Sequence, residues 1–224
     1  MKRNLSVLFG AIAIIGLVAA WSCYPAENQF SIMRCTISFL GSPDADRNPH
    51  GWRFYQVGMT ALVLLLFSLV AERHRRLCAP LGRTAVWSSG SILIALALLL
   101  LVVWIPDTRQ VGWFGIRTGH WHTCLAILAI PFMACGIVLD GVALWWSGVR
   151  WRALWPFHLY GILTVTGVIE VTMWERMCKQ NPTLHHWPGD GLHSTPLWEW
   201  ITFSYLIVFM IWMAHGRMPV PNKK

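Results

Sequence analysis

Six apolar runs, each about as long as a membrane-spanning helix, limit how this chain can fold more than any other feature. The runs cover about residues 4–22, 54–71, 85–105, 122–146, 154–174 and 197–215. A spanning helix needs roughly 20 mostly apolar residues. With 55% hydrophobic and 12% charged residues, the chain has more apolar surface than a soluble domain of 224 residues can bury. We therefore predict an all-α fold, a single polytopic membrane bundle of six transmembrane helices.

The first apolar run has two interpretations, because it follows Lys2 and Arg3 and resembles both a spanning helix and a signal peptide. Val18 and Ala20 provide a small-residue cleavage pattern. Because five further spans follow, we favour an uncleaved first helix. Whether the segment is removed stays open at this point.

Lysine and arginine residues are unevenly divided between the two sets of connecting segments. One set, which includes both termini, holds eleven: Lys2, Arg3, Arg73, Arg75, Arg76, Arg83, Arg150, Arg152, Arg217, Lys223 and Lys224. The other holds seven: Arg34, Arg47, Arg53, Arg109, Arg117, Arg176 and Lys179. Since cytoplasmic connections are the more basic, we predict a multi-pass protein of the cell inner membrane with both termini cytoplasmic.

The net charge of +8 raises the question of nucleic-acid binding. The basic residues are scattered between hydrophobic runs instead of forming one basic domain, so we expect no nucleic-acid partner. Contacts with anionic lipid headgroups explain such a distribution better. Membrane lipids are the predicted partners, and the sequence specifies no protein partner.

The stretch from Tyr24 to Phe54 is the first long polar interruption of the chain. Its motifs are Tyr24-Pro25, Ile37-Ser38-Phe39-Leu40-Gly41 and Asn48-Pro49, with Phe54 leading into the second span. They resemble the signature of a bacterial six-span family of unknown function, similar in layout to the DRAM-type membrane proteins, which include factors linked to lipid or GPI-anchor remodelling.

This resemblance implies a membrane protein without an established reaction. Members of the family usually have an acid at the position of Phe39. They also have a histidine that opens the fourth helix, a place that His120 or His122 would take here.

Asp140 and Glu170 are acids inside predicted spans, where a charge is costly unless it is paired or beside water. Helical spacing places Asp140 on one stripe with Gly136, Met133, Ala129, Ala126 and His122. Most of these side chains are small, so we expect the stripe to face the bundle. The short turn after helix four makes His158 the predicted partner of Asp140, either as a structural clasp or as a proton-handling pair.

A lipid or lipid-like ligand is the function that we favour, bound in an outward-facing polar pocket. The candidate pocket residues are Ser38, Asn48, His122 and Glu170. We lean towards a protein without catalytic activity and expect no cofactor, because the chain contains no HExxH, GxSxG, Walker or Rossmann motif.

Two other classes of function stay open. A metal-dependent hydrolase would use outer histidines and an acid, since these side chains suit zinc and similar ions; the candidates are His120, His122, His185, His186, Asp190 and His193. A proton-coupled transporter would use Asp140, His158 and Glu170. Cys23 and Cys35 flank the start of the polar stretch, and an oxidising compartment would allow them to pair.

Overall fold

Six α-helices make up most of the computed structural model, which describes residues 3–28, 30–33, 35–181 and 194–216. They are α1 (Arg3–Ser22), α2 (Trp52–Leu81), α3 (Arg83–Trp104), α4 (Thr118–Trp146), α5 (Trp155–Gln180) and α6 (Thr195–His215). In the described ranges, the nearest approach to a sheet is one isolated bridge between Val111 and Arg117. All six helices are long and apolar enough to cross a membrane, which confirms the predicted all-α six-span bundle.

The bundle has two ends of different character. Short turns at residues 81–83 and 146–155 lie at one end together with residue 216 after α6, and we call this the turn end. Residues 23–51 and 105–117 and the beginning of α6 lie at the other end, which we call the loop end. The polar stretch therefore packs at the loop end, as part of a folded layer over the helices.

The connection between α2 and α3 is much shorter than predicted. The second apolar run ends at residue 71, which predicts a basic connector over residues 72–83, but α2 continues to Leu81 and α3 begins at Arg83. Glutamate and arginine are good helix formers, so the end of the apolar run does not end the helix. Gly82 ends it instead, with a φ of 54° that favours glycine. Arg73 consequently lies on a helix and not in a loop.

Close glycine contacts determine which helices pack tightly. A Cβ added to Gly16 of α1 would lie 2.6 Å from Cα of Gly58 on α2, and one added to Gly136 of α4 would lie 2.7 Å from the carbonyl oxygen of Ser88 on α3. Such small residues let helix backbones approach closely in a membrane. The packing of α4 against α3 is far more extensive than its packing against α5.

Buried apolar side chains form two clusters. The larger one joins α2, α3, α4, α5 and α6. The smaller one joins α1, the loop end, the last turn of α3 and parts of α2 and α6. The stripe predicted on α4 does face the bundle: His122, Ala129, Met133, Gly136 and Asp140 are all buried, and Ala126 is half-buried.

Candidate functional site

The loop end is built around a short 3₁₀ turn, Ile37–Gly41, that packs against α1, α2 and α6. Leu40 is almost fully buried there. A Cβ on Gly41 would lie 2.3 Å from the ring of Tyr55, so only glycine allows this approach. The second turn of α6 holds the same segment, since the indole Nε1 of Trp200 donates to the carbonyl of Cys35 at 3.0 Å and Glu199 accepts from the backbone of Ile37.

Aromatic contacts hold the beginning of the polar stretch. The rings of Tyr24 and Phe30 meet edge to face at 4.9 Å, and Phe30 also contacts Trp200 at 6.3 Å. Burial raises the pKa of Tyr24 to about 12, so its phenol stays neutral at physiological pH. Cys23 and Cys35 are both free thiols in this arrangement.

Asn48, one of the predicted pocket residues, is fully buried and closes the polar stretch onto the helices. Its amide nitrogen donates to the carbonyls of Ala20 and Leu40, each at 2.9 Å, and its amide oxygen accepts from the N–H of Gly51 at 3.0 Å. These bonds engage the amide group on both its nitrogen and its oxygen. Asn48 therefore has a structural role, and it has little capacity left to bind a ligand.

Asp107, three residues after the end of α3, is the centre of the loop-end polar cluster. Arg47 donates to its carboxylate at 2.6 Å and to its backbone carbonyl at 2.9 Å. Ser42 donates to the same carbonyl at 2.6 Å. Ser38, the second predicted pocket residue, lies at the edge of this cluster, 3.5 Å from the carboxylate and 2.7 Å from Thr36 Oγ1.

Phe39, in the middle of the 3₁₀ turn, contacts the side chain of Arg47. The guanidinium of Arg47 lies over the ring of Phe39, with its central carbon 4.1 Å from the ring centre. Such a cation–π contact is attractive. Arg47 therefore contacts an aromatic face at position 39 and obtains its carboxylate from Asp107. The sequence did not single out Arg47, which directly precedes the Asn48-Pro49 motif, or Asp107, which lies in a different connecting segment.

His120 and His122 point to different surroundings, as expected for two residues two apart on a helix. His122 is buried, and its Nδ1 lies 2.7 Å from the carbonyl of Ile105. His120 is exposed. Glu170, the fourth predicted pocket residue, lies half-buried on α5 and takes part in a polar contact. The loop-end pocket formed by Ser38, Asn48, His122 and Glu170 stays a prediction.

The second group of metal candidates, His185, His186, Asp190 and His193, lies outside the described residues. Within the described ranges, no group of three or more His, Cys, Asp or Glu side chains is placed to hold a metal ion. The metal-dependent hydrolase stays a prediction.

Asp140 has a different partner from the one predicted. The side chains of Arg73 and Asp140 form a buried ion pair, with 0% and 1% of their surface exposed, and the Arg73 Nε donates to the carboxylate at 2.7 Å. Arg73 also donates to Ser89 at 2.9 Å and to Ser88 at 2.8 Å. The network joins α2, α3 and α4 near the turn end.

The predicted pair of Asp140 with His158 is therefore wrong. Asp140 lies on the face of α4 that packs against α3, whereas His158 is on α5. The ring of His158 stacks on Trp151 at 3.6 Å, and its Nε2 lies 3.4 Å from the Trp151 carbonyl.

A groove between α4 and α5 contains His158. Its volume is about 230 Å³. The lining is almost entirely apolar: Ile137, Val138, Gly141, Val142, Trp145, Trp151, Leu154, Phe157, His158, Tyr160 and Gly161. It exists because α4 packs mainly on α3 and touches α5 only lightly. The short turn between α4 and α5 predicts that these helices pack closely, so the sequence gives no sign of this groove.

Comparison of the chain with protein families, with curated proteins and with solved structures gives no match. The class that the fold defines is a multi-pass, all-helical membrane protein.

Proposed function

We propose that this membrane protein binds an anionic phospholipid, with part of an acyl chain in the α4–α5 groove. The observation that carries the proposal is the apolar groove itself, placed beside exposed arginines at the turn end. The proposed lipid site therefore lies at the opposite end of the bundle from the pocket that the sequence predicted at the loop end.

The size and surroundings of the groove favour a chain segment over a whole small molecule. Pockets that enclose complete small ligands measure about 300–1,000 Å³, and the groove has 230 Å³. The groove lies between two membrane-spanning helices, and lipid acyl chains surround these helices in the bilayer. Gly161 adds space, because a Cβ there would meet nothing within 4 Å.

The headgroup contacts would supply selectivity. Lipid chains are as apolar as leucine, so the groove alone gains little from excluding water. Arg150 and Arg152 are exposed on either side of Trp151, which lines the groove. An arginine near an anionic membrane surface contributes about 1 kcal/mol. Two of them would favour an anionic over a zwitterionic headgroup by roughly ten- to thirtyfold.

As part of the same proposal, the protein lies in a bacterial inner membrane with its turn end and both termini on the cytoplasmic side. Even without the buried Arg73, the basic residues of the sequence favour the turn end. A C-terminal alkaline phosphatase fusion, which is active only outside the cytoplasm, is expected to be inactive.

The test is native mass spectrometry of the purified protein released from nanodiscs that contain equal amounts of phosphatidylglycerol and phosphatidylethanolamine. We expect phosphatidylglycerol to be retained preferentially. The double variant Arg150→Gln, Arg152→Gln should lose about tenfold of this preference. The matched control Arg75→Gln, Arg83→Gln, which removes two charges from the same end, should retain it.

A second pair of variants tests the groove. Gly161→Leu should fill it and lower lipid occupancy several-fold. Gly90→Leu on α3 is the matched control, because a Cβ there also meets nothing within 4 Å and Gly90 is not among the groove residues. Retention of the two lipids in their bulk ratio by the parent protein would contradict the proposal, as would equal lipid occupancy in the Gly161 and Gly90 variants.

A further inference from the structure

The connection between α3 and α4 ends in a small hydrogen-bonded hairpin at the loop end. The N–H of Gly112 donates to the carbonyl of Ile116, and the N–H of Thr118 donates to the carbonyl of Gln110, each at 2.9 Å. The isolated antiparallel bridge lies between these two bonds. Backbone hydrogen bonds therefore fix the shape of residues 110–118, which we call the α3–α4 hairpin.

The tip of the α3–α4 hairpin presents an aromatic side chain in a backbone conformation that is unfavourable for it. Phe114 has a φ of 58° and a ψ of 25°, in the left-handed region that favours glycine. Its side chain is 90% exposed, so packing within the chain does little to offset the strain. Val111 and Ile116, on the two arms, are exposed as well. A strained apolar residue held outward by a fixed hairpin indicates a contact outside the chain.

The base of the hairpin lies close to the membrane surface. The spanning helix α3 ends at Trp104, whose ring is exposed, and Trp121 lies in the first turn of α4. Tryptophan favours the boundary between the hydrocarbon core and water. Two extended arms of about three residues each reach roughly 10 Å, and the headgroup region on one side of a bilayer is about 5–8 Å thick. The tip is therefore within reach of the lipid headgroups.

Basic side chains border the apolar tip. Arg117 directly follows Ile116 and is exposed. Arg109 precedes the hairpin, and it is also exposed but pairs with Asp46. Apolar side chains next to an arginine match the chemistry of a membrane surface, which offers acyl carbons below anionic phosphates. A stable protein interface takes roughly 20–30 residues from each partner, so a tip of this size suits a lipid surface better than a protein.

We propose that the α3–α4 hairpin is an interfacial anchor that inserts Phe114 among the lipids of the leaflet at the loop end, with Arg117 bound to an anionic headgroup phosphate. The base of the hairpin is bonded to the polar stretch, because the hydroxyl of Thr108 donates to the carboxylate of Asp44. The anchor would therefore hold the loop-end cap at the bilayer surface. This contact is separate from lipid binding in the α4–α5 groove, which lies at the other end of the bundle.

The test replaces Phe114 with the photoreactive analogue p-benzoylphenylalanine, which keeps an aromatic side chain at the tip. The full chain is irradiated in nanodiscs that contain equal amounts of phosphatidylglycerol and phosphatidylethanolamine, and mass spectrometry identifies the adducts of residue 114. We expect these adducts to be lipids. The matched control carries the analogue in place of Asp46, an exposed residue at the same end of the bundle, and should give several-fold fewer lipid adducts.

Arg117→Gln, introduced into the photoreactive protein, tests the headgroup contact. One arginine near an anionic surface corresponds to roughly a fivefold preference, so the ratio of phosphatidylglycerol to phosphatidylethanolamine among the adducts should fall by about this factor. Arg53→Gln, which removes another exposed arginine at the loop end, should leave the ratio unchanged. An unchanged ratio in Arg117→Gln would overturn the role of Arg117.

Two other results would overturn the anchor itself. One is a yield of lipid adducts at position 114 no higher than at position 46. The other is that irradiation of whole cells links residue 114 mainly to a second copy of the chain or to another protein. Because the substitution at position 114 exchanges one exposed aromatic side chain for another, it should leave the fold intact, and the unfolding temperature of the photoreactive protein in detergent checks this.

Discussion

Two ion pairs, one at each end of the bundle, each join an arginine to an aspartate but differ in how far they are buried. Arg47–Asp107 at the loop end leaves 15% and 22% of its side-chain surface exposed, whereas Arg73–Asp140 leaves 0% and 1%. Each pair joins segments more than fifty residues apart. If a contact of the loop-end pair is lost, neighbouring polar groups and water can replace it. The buried pair has only its own hydrogen-bond network.

This difference matters because the cost of an ionised group depends on its access to water. Removing one member of a buried pair leaves the other charge without compensation, which costs about 3–5 kcal/mol. Replacing both members by apolar side chains of similar size is often neutral. Exposed pairs contribute about 0–1 kcal/mol. We therefore expect three substitutions at the two ends to lower the stability by amounts that decrease as the affected ion pair becomes more exposed.

Asp140→Asn should have the largest effect. It keeps the shape of the side chain but leaves the Arg73 guanidinium buried without a counter-charge, so we expect a loss of about 3–5 kcal/mol in stability. The loss is measured by thermal unfolding in detergent, with the yield of monodisperse protein as a second readout. An unfolding temperature equal to that of the parent would contradict the buried pair.

The control for this prediction is the double variant Arg73→Met, Asp140→Leu. It removes both charges together and keeps much of the packing between α2, α3 and α4. Its stability should recover most of the loss seen in Asp140→Asn. A double variant as unstable as the single one would mean that the charges themselves, and not their pairing, are required.

Asp107→Asn should have an intermediate effect. Arg47 and Ser42 also bond to the backbone carbonyl of Asp107, which the substitution leaves in place. The lost part is the charge assistance of the side-chain bond, worth about 1 kcal/mol. The unfolding temperature should fall by about 2–4 °C. A loss as large as that of Asp140→Asn would remove the distinction between the two ends.

Arg109→Gln should have the smallest effect. The pair of Arg109 with Asp46 is 69% and 54% exposed, and the backbone N–H of Arg109 keeps its bond to Asp44. We expect a change below about 0.5 kcal/mol, visible as an unchanged unfolding temperature. A clear loss would show that even the exposed rim of the loop end acts as part of one network.

The sequence predicts the helices better than the contacts between them. Apolar run length gives all six spans, and helical spacing gives the inward stripe on α4, because both follow from periodicity. The position of Arg73 does not follow from run length, since α2 continues past its apolar part. The buried positions Leu66, Leu69, Val70 and Leu77 have the helical spacing that includes Arg73. That spacing is the feature of the sequence that indicates a buried position for Arg73 on α2.

The partner of Asp140 could not be read from local spacing, because it depends on how α4 divides its contacts between two neighbours. Gly136 allows α4 to approach α3 closely, and this contact turns Asp140 towards Arg73 and away from His158. The same choice opens the α4–α5 groove. Pairing between sequence neighbours is a reasonable expectation for membrane helices, but a single glycine contact on the other side is enough to change it.

The amide of Asn48 also provides a way to recognise other chains with this loop. Aspartate has the same shape, but it would present oxygen where the carbonyls of Ala20 and Leu40 need a donor. Gly41 and Gly51 are required for another reason, since added side-chain atoms would meet Tyr55 and Asn48. A chain with Gly, Asn and Gly at these three spacings between its first two spans meets the requirements for the same cap, whatever its remaining loop residues are.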